Sequence, residues 1–270
     1  MKPRILITGA SGAMGAAATE ALAAQGQPVL MAVRNPSKAA AVCDAIRSRL
    51  PLAELEIAEL DLASLASVRR FADGIAPGSV AALFNNAGVI SRQYQTTEDG
   101  FENTFAVNYF GPWLLTQSLL PKLAPGARIV NMVSLTCQLV DIDVASLRPA
   151  PADFSQLKTY ARAKRALLSY TLELARRHPE YVVNMADPGI VASNMIDLGH
   201  WYDPLADLLF KPFCKRPEKG VQPALRALAA TDGPRYYVAQ KNREIPRCFL
   251  DVALDTRLWE ATESIIGASA

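Results

Sequence analysis

Eight residues near the start of the chain, Thr8-Gly9-Ala10-Ser11-Gly12-Ala13-Met14-Gly15, restrict its fold more than any other stretch. They come after a short apolar run, Arg4 to Thr8, and open an alanine-rich stretch over 13–25 that reads as a helix. A strand that turns on glycines straight into a helix is the first half of a βαβ unit, because a parallel neighbour strand needs a crossover helix. Glycines there let the backbone approach a charged ligand closely, and the helix N-terminus favours a phosphate. A tight turn with no ligand uses the same residues, so the motif takes its weight from the pattern of the rest of the chain.

That pattern is a regular alternation. Strand-like runs at 29–33, 55–60, 80–84, 127–133, 181–186 and 236–239 separate helical stretches at 37–50, 64–75, 103–123 and 154–177. Ser37 is expected to cap the second helix and Pro51 to stop it. The 80–84 run is continuously apolar, as in a strand covered on both faces. These elements predict an α/β fold, a Rossmann-type doubly wound parallel sheet with helices on both faces. The 270 residues read as one domain, with an irregular excursion at about 191–217 and no internal repeat.

Composition removes several function classes. Lys and Arg number 28 against 26 Asp and Glu, a formal net charge of +2 without a basic patch, so no nucleic-acid partner is expected. The short cluster Lys211, Lys215 and Arg216 reads as solvated surface. Cys43, Cys137, Cys214 and Cys248 are scattered, which predicts free thiols in a reducing compartment. With His178 and His200 the only histidines, no metal is expected. There is no run of 18 apolar residues and no signal-peptide pattern at the start. No integral membrane segment and a cytoplasmic location are the expectations.

The second strand ends at Val33-Arg34-Asn35, and no Asp or Glu lies between Val29 and Val42. An acid there would bind the ribose 2′-hydroxyl of NAD, whereas an arginine favours the 2′-phosphate of NADP. Arg34 and Asn35 are therefore expected at the cofactor, which is expected to be NADP(H). Lys38 reads equally well as a solvated helix residue.

Further motifs come in order: Asp61-Leu62 after the third strand, Asn85-Asn86-Ala87-Gly88 after the fourth, and Asn108 in the long helix. Ser134 ends the fifth strand; then come Tyr160-x-x-x-Lys164 and Asp187-Pro188-Gly189-Ile190-Val191-Ala192-Ser193. With this ordered set the sequence resembles the short-chain dehydrogenase/reductase family. Gly100-Phe101, Ala106-Val107-Asn108, Leu114-Leu115-Thr116 and Leu258-Trp259-Glu260-Ala261-Thr262-Glu263 look most like its retinol-dehydrogenase-like branch. The chain departs from the family in three places. Ala13 stands where shorter members usually have glycine, Tyr109 where a histidine is expected, and Ser193 where a threonine is usual.

The resemblance implies a carbonyl–alcohol oxidoreductase with Tyr160 as acid/base. The unperturbed tyrosine pKa, about 10, is high for that work. An ammonium at Lys164, one helical turn on, is expected to lower it. The resemblance also gives Lys164 the nicotinamide ribose, Ser134 the substrate oxygen and Asn108 a water that relays protons. It places Asp61 and Leu62 at the adenine, Asn86, Ala87 and Gly88 at its ribose, and Pro188, Gly189, Ile190 and Val191 against the nicotinamide. Ser193 falls near the carboxamide or phosphate, and Asn85 is structural. His178, after a helix C-terminus, reads as structural too.

Between Asn194 and Lys215 the chain is rich in large apolar residues, among them Met195, Trp201, Leu205 and Phe210. They suit a lid over a lipophilic carbonyl or alcohol, and equally core packing or an oligomer surface. Gln138, Leu139 and Val140 are candidate pocket residues. Many family members pair through their two long helices, so a homodimer or homotetramer is implied by analogy. A non-catalytic NADP-binding regulator or scaffold is the alternative, and the complete Asn108–Ser134–Tyr160–Lys164 set argues against it. An epimerase or dehydratase would need a larger C-terminal substrate domain than the residues after Ser193 supply.

Overall fold

The structure, a computed structural model, describes residues 2–189, 216–239 and 241–268. Ile190, Val191 and Ser193, and nearly all of the 191–217 excursion, lie outside the described residues. Eight strands form one sheet in the order β3-β2-β1-β4-β5-β6-β7-β8. They are β1 (Arg4–Thr8), β2 (Val29–Val33), β3 (Leu55–Glu59), β4 (Val80–Asn85), β5 (Leu123–Met132), β6 (Val182–Asp187), β7 (Tyr236–Val238) and β8 (Lys241–Arg243). β1 to β7 pair in parallel and β8 antiparallel to β7. The strand order reverses between β1 and β4, and ligands of open α/β sheets bind in the crevice at such a point.

Helices lie on both faces, as the alternation predicts. On one face α1 (Ala13–Ala23) and α2 (Pro36–Arg47) bury Ala18, Leu22 and Ile46 against the β3-β2-β1 side of the sheet, and α8 (Gln222–Ala229) buries Ala224 and Leu228 against β5, β6 and β7. The other face carries α3 (Leu65–Asp73), α4 (Asn103–Phe105), α5 (Gly111–Leu119), α6 (Gln156–Arg177) and α9 (Val252–Gly267). The short α7 (Pro217–Gly220) precedes α8. Among the described residues no helix is long and apolar enough to cross a membrane.

Three expectations need correcting. α2 is capped by Asn35, whose side chain accepts from the Lys38 N–H at 2.9 Å, with Pro36 in the first turn. Ser37 lies inside the helix. The fixed φ of proline suits the first helical position, so the cap falls on the residue before it. The stretch 103–123 is not one α-helix: α4 passes through a π turn, Ala106–Phe110, into α5, and a short 3-10 turn, Leu120–Lys122, leads into β5. β8 adds a strand that the alternation does not signal; it returns from β7 through Ala239, a non-glycine residue at φ 51°.

α9 fastens the outer side of the two long helical elements. Trp259 stacks on Tyr170 of α6 at 5.5 Å and meets Trp113 of α5 edge-on at 5.7 Å. The Tyr109 and Thr262 hydroxyls share a buried hydrogen bond of 2.7 Å, which gives the departure at position 109 a structural use. Arg176 bridges Glu173 and the fully buried Asp255, at 2.7 Å to each. Part of the outward surface of both long elements is thus occupied from within the chain.

Candidate active site

The glycine turn sits at the carboxyl end of β1, locked to the end of β4. Thr8 Oγ1 accepts from the Asn86 and Ala87 amides at 3.1 Å each, and Asn86 Nδ2 donates to the Thr8 carbonyl at 2.9 Å. Asn86, Ala87 and Gly88 are thereby set beside Gly9, which has φ 65° and whose added Cβ would lie 3.0 Å from Ala87 Cα. A Cβ on Gly15 would come within 2.7 Å of Ala10 Cα and closer still to the Gly9 carbonyl. Gly12 precedes α1 with no side-chain cap, so side chains leave the first-turn N–H donors of α1 to another acceptor. Ser11 and Met14 are half-buried and Ala13 is exposed along this turn.

Arg34 is exposed at the end of β2, and Asn35 beside it has its carbonyl oxygen engaged in the α2 cap. Asp61 Oδ1 accepts from the Ala63 amide at 2.9 Å, holding the turn after β3, and Leu62 is buried behind it. Asn85 donates to Thr116 at 3.0 Å and to Asn131 at 2.8 Å, the interstrand role expected of it. His178 ends α6, with its ring 3.0 Å from Glu180.

The four expected polar residues meet a few ångströms further along. Ser134 lies two residues beyond β5 and caps a 3-10 turn, Leu135–Leu139, accepting from Thr136 Oγ1 at 3.0 Å. Ser134 stands close enough to the Tyr160 hydroxyl to favour its ionised form. Lys164 Nζ lies 5.9 Å from the Tyr160 ring centre and donates to the Met132 carbonyl at 2.9 Å. Asn108 sits in the middle of the π turn, a departure from α-helix often found at functional sites. Its Nδ2 donates to the Val89 and Thr104 carbonyls at 2.8 Å each, while its buried Oδ1 has no partner. A Cβ on Gly88 would lie 2.8 Å from that Oδ1 and 3.5 Å from Lys164 Nζ, so the three groups converge. The orphaned acceptor, the buried ammonium and the uncapped helix start fit a group with hydroxyls and phosphates.

Comparison with known proteins gives the family. Residues 3–200 match the short chain dehydrogenase family. The chain belongs to that family. Human retinol dehydrogenase 14 is 32% identical over 97% of this chain and 86% of its own length. Mouse polyprenol dehydrogenase is 34% identical over 97% of this chain and 83% of its own. A solved but uncharacterized protein from Mycobacterium Paratuberculosis superposes with a TM-score of 0.77 at 29% identity, covering 98% of this chain and 93% of that one.

The electrostatics of this dehydrogenase differ from expectation at one point. Burial pushes the Tyr160 hydroxyl above the usual tyrosine range, against the lowering by Ser134. The ammonium of Lys164 does not offset that burial, and burial brings Lys164 itself down to about 8. Desolvation disfavours the charged form of each group, and it is the largest cause of both shifts. Lys164 therefore binds a proton less tightly folded than unfolded. Between about pH 8 and 10.4 the unfolded chain holds the extra proton, so stability from this group is full above that window and falls as pH drops through it. Lys164→Met is expected to raise the melting temperature at pH 7, by about 2–4 °C for each kcal/mol recovered. The gain should shrink toward pH 10; calorimetry of both proteins across that range checks it.

Sequence reasoning misses two neighbours of the site. Cys137 is buried behind it, its thiol pushed up to about 12 by burial. Asp187, visible in the sequence only as part of a motif, is buried at the end of β6. Of two groups that bond it, one lies 49 residues away and the other two residues away, and only the former needs the fold to be seen. A cavity of about 520 Å³ is lined by Thr136, Leu139, Val140, Asp141, Leu157, Lys158, Ala161 and Arg162, next to Ser134 and Tyr160 in sequence but not including them. Leu139 and Val140 are there as expected; Gln138 is exposed and is not among its lining residues.

Proposed function

We propose that this chain is an NADP(H)-dependent oxidoreductase that interconverts a carbonyl and an alcohol on a small lipophilic molecule, with Tyr160 giving or taking the proton. The observation that carries this reading is the buried Tyr160 with Lys164 Nζ 5.9 Å from its ring and Ser134 close to its hydroxyl. When bound, the nicotinamide supplies or accepts the hydride. The glycine turn would hold its pyrophosphate at the start of α1. Asp61, Asn86, Ala87 and Gly88 would border the adenosine half, and Lys164 the second ribose. Ser134 orients the substrate oxygen. Tyr160 donates its proton to that oxygen in reduction and recovers it by way of Lys164 and Asn108. A phenol held above its usual range stays protonated at neutral pH, a state loaded for reduction.

Arg34 supports NADP: it is an exposed cation at the end of β2. Leu139, Val140, Leu157 and Ala161 in the wall of the neighbouring cavity, and relatives named for retinol and polyprenol, support a lipophilic substrate. The test is oxidation of NADPH against a panel of lipophilic aldehydes, ketones and quinones, with NADH alongside. Arg34→Ala should raise KM for NADPH by about 10- to 100-fold, the worth of a charge-assisted hydrogen bond, and leave NADH unaffected. A wild-type preference for NADH would sink the NADP assignment. Tight binding with no turnover across the panel would return weight to a regulatory protein.

A further inference from the structure

β6 ends in a carboxylate that is 1% exposed. An ionised carboxylate at that depth is costly unless donors surround it. A donor stands at each oxygen of Asp187. Oδ2 accepts from the Tyr236 hydroxyl at 2.6 Å, and Oδ1 accepts from the backbone N–H of Gly189 at 2.7 Å. Hydrogen bonds to an ionised acceptor are short and about twice as strong as neutral ones.

The two donors come from different places. Tyr236 opens β7, where it pairs with Met185 rather than Asp187, so its ring reaches diagonally along the same face of the sheet. It is 3% exposed, and burial, reinforced by the Asp187 charge, keeps its hydroxyl protonated and so a donor. Gly189 is only two residues beyond Asp187. It has φ 69°, a left-handed conformation that costs glycine little and other residues more. A side-chain oxygen bonded to the amide two residues on fixes a turn.

We propose that Asp187 is a positioning residue: clasped by Tyr236 on one side, it holds the Gly189 turn in the conformation that presents Pro188 and Gly189 to the cofactor. This rests on the nicotinamide dinucleotide reading above. The neighbouring strand β7, through Tyr236, thus sets the angle at which the chain leaves β6.

Three variants separate the clasp from a general structural role. Asp187→Asn keeps an acceptor for Gly189 and a polar partner for Tyr236, while Asp187→Ala removes both and Tyr236→Phe removes one. Two readouts apply to each: NADPH affinity by fluorescence titration, and hydrogen exchange at the Gly189 amide without nucleotide. Asp187→Ala and Tyr236→Phe are expected to weaken NADPH about tenfold or more, one lost charge-assisted bond. Both should speed exchange at Gly189, whereas Asp187→Asn should stay within about threefold of wild type on both counts. Unchanged affinity and exchange in Tyr236→Phe and Asp187→Ala would overturn the clasp while leaving the proposed function intact. Faster exchange with unchanged affinity would overturn its tie to the cofactor. A wild type that binds neither NADPH nor NADH would overturn the proposed function, and the purpose given to the clasp with it.

Discussion

Tyr160→Phe is expected to lower turnover by about 10²- to 10⁴-fold, the range that a positioned acid or base contributes. The ring is 7% exposed and packs in the core, so phenylalanine fills the same space and only the hydroxyl is lost. The neighbouring Ser134 keeps its bond from Thr136, so it is not stranded. Nucleotide affinity and melting temperature should therefore stay close to wild type. That combination, activity gone with binding and fold kept, is what separates a proton donor from a packing residue. Retention of more than about a tenth of the wild-type rate would remove Tyr160 from the chemistry.

The second large effect is expected at Gly15. Alanine there places its Cβ 2.7 Å from Ala10 Cα and closer to the Gly9 carbonyl, all backbone that no rotamer can move. The turn cannot yield easily, because Gly9 already abuts Ala87 and Thr8 is bonded to Asn86. Overpacking of this kind costs about 1–3 kcal/mol, or about 2–4 °C in melting temperature for each kcal/mol. The shift also displaces the donors at the start of α1, so nucleotide binding should fall by about 100-fold or more, the equivalent of two such bonds. Gly267→Ala is the control: it meets nothing within 4 Å and lies at the end of a helix, so it should be neutral or slightly stabilising. Equal behaviour of the two variants would mean that the turn is softer than its contacts require.

The features legible in the sequence are those with a short period or a local spacing. β1 and β2 fall where alternation and apolar runs put them, and Tyr160 and Lys164 face one another because four residues make a helical turn. The cap of α2 is legible too, and Ser37 is the wrong choice for it: an asparagine before a proline is a stronger helix start than a serine after it. The π turn at Asn108 is not legible, and neither is the bond from its side chain to the Val89 carbonyl, 19 residues away, which only the fold assembles. Likewise, Tyr109 stands out as a departure but has no explanation in the sequence, because Thr262 lies 153 residues further on. The raised Tyr160 hydroxyl also escapes the motif. Spacing shows that a lysine is near but not how little water is there.

The dependence of α6 on α9 sets an order of events during synthesis. The helix bearing Tyr160 and Lys164 leaves the ribosome long before Trp259 does. Until then Trp113 and Tyr170, both buried in the finished protein, have no indole to cover them, and Asp255 is not yet there for Arg176. A nascent chain with its whole catalytic sequence already made still shows an aromatic patch to its surroundings. Such patches invite chaperones and aggregation. The residues that cover this patch therefore arrive well after the segment they protect.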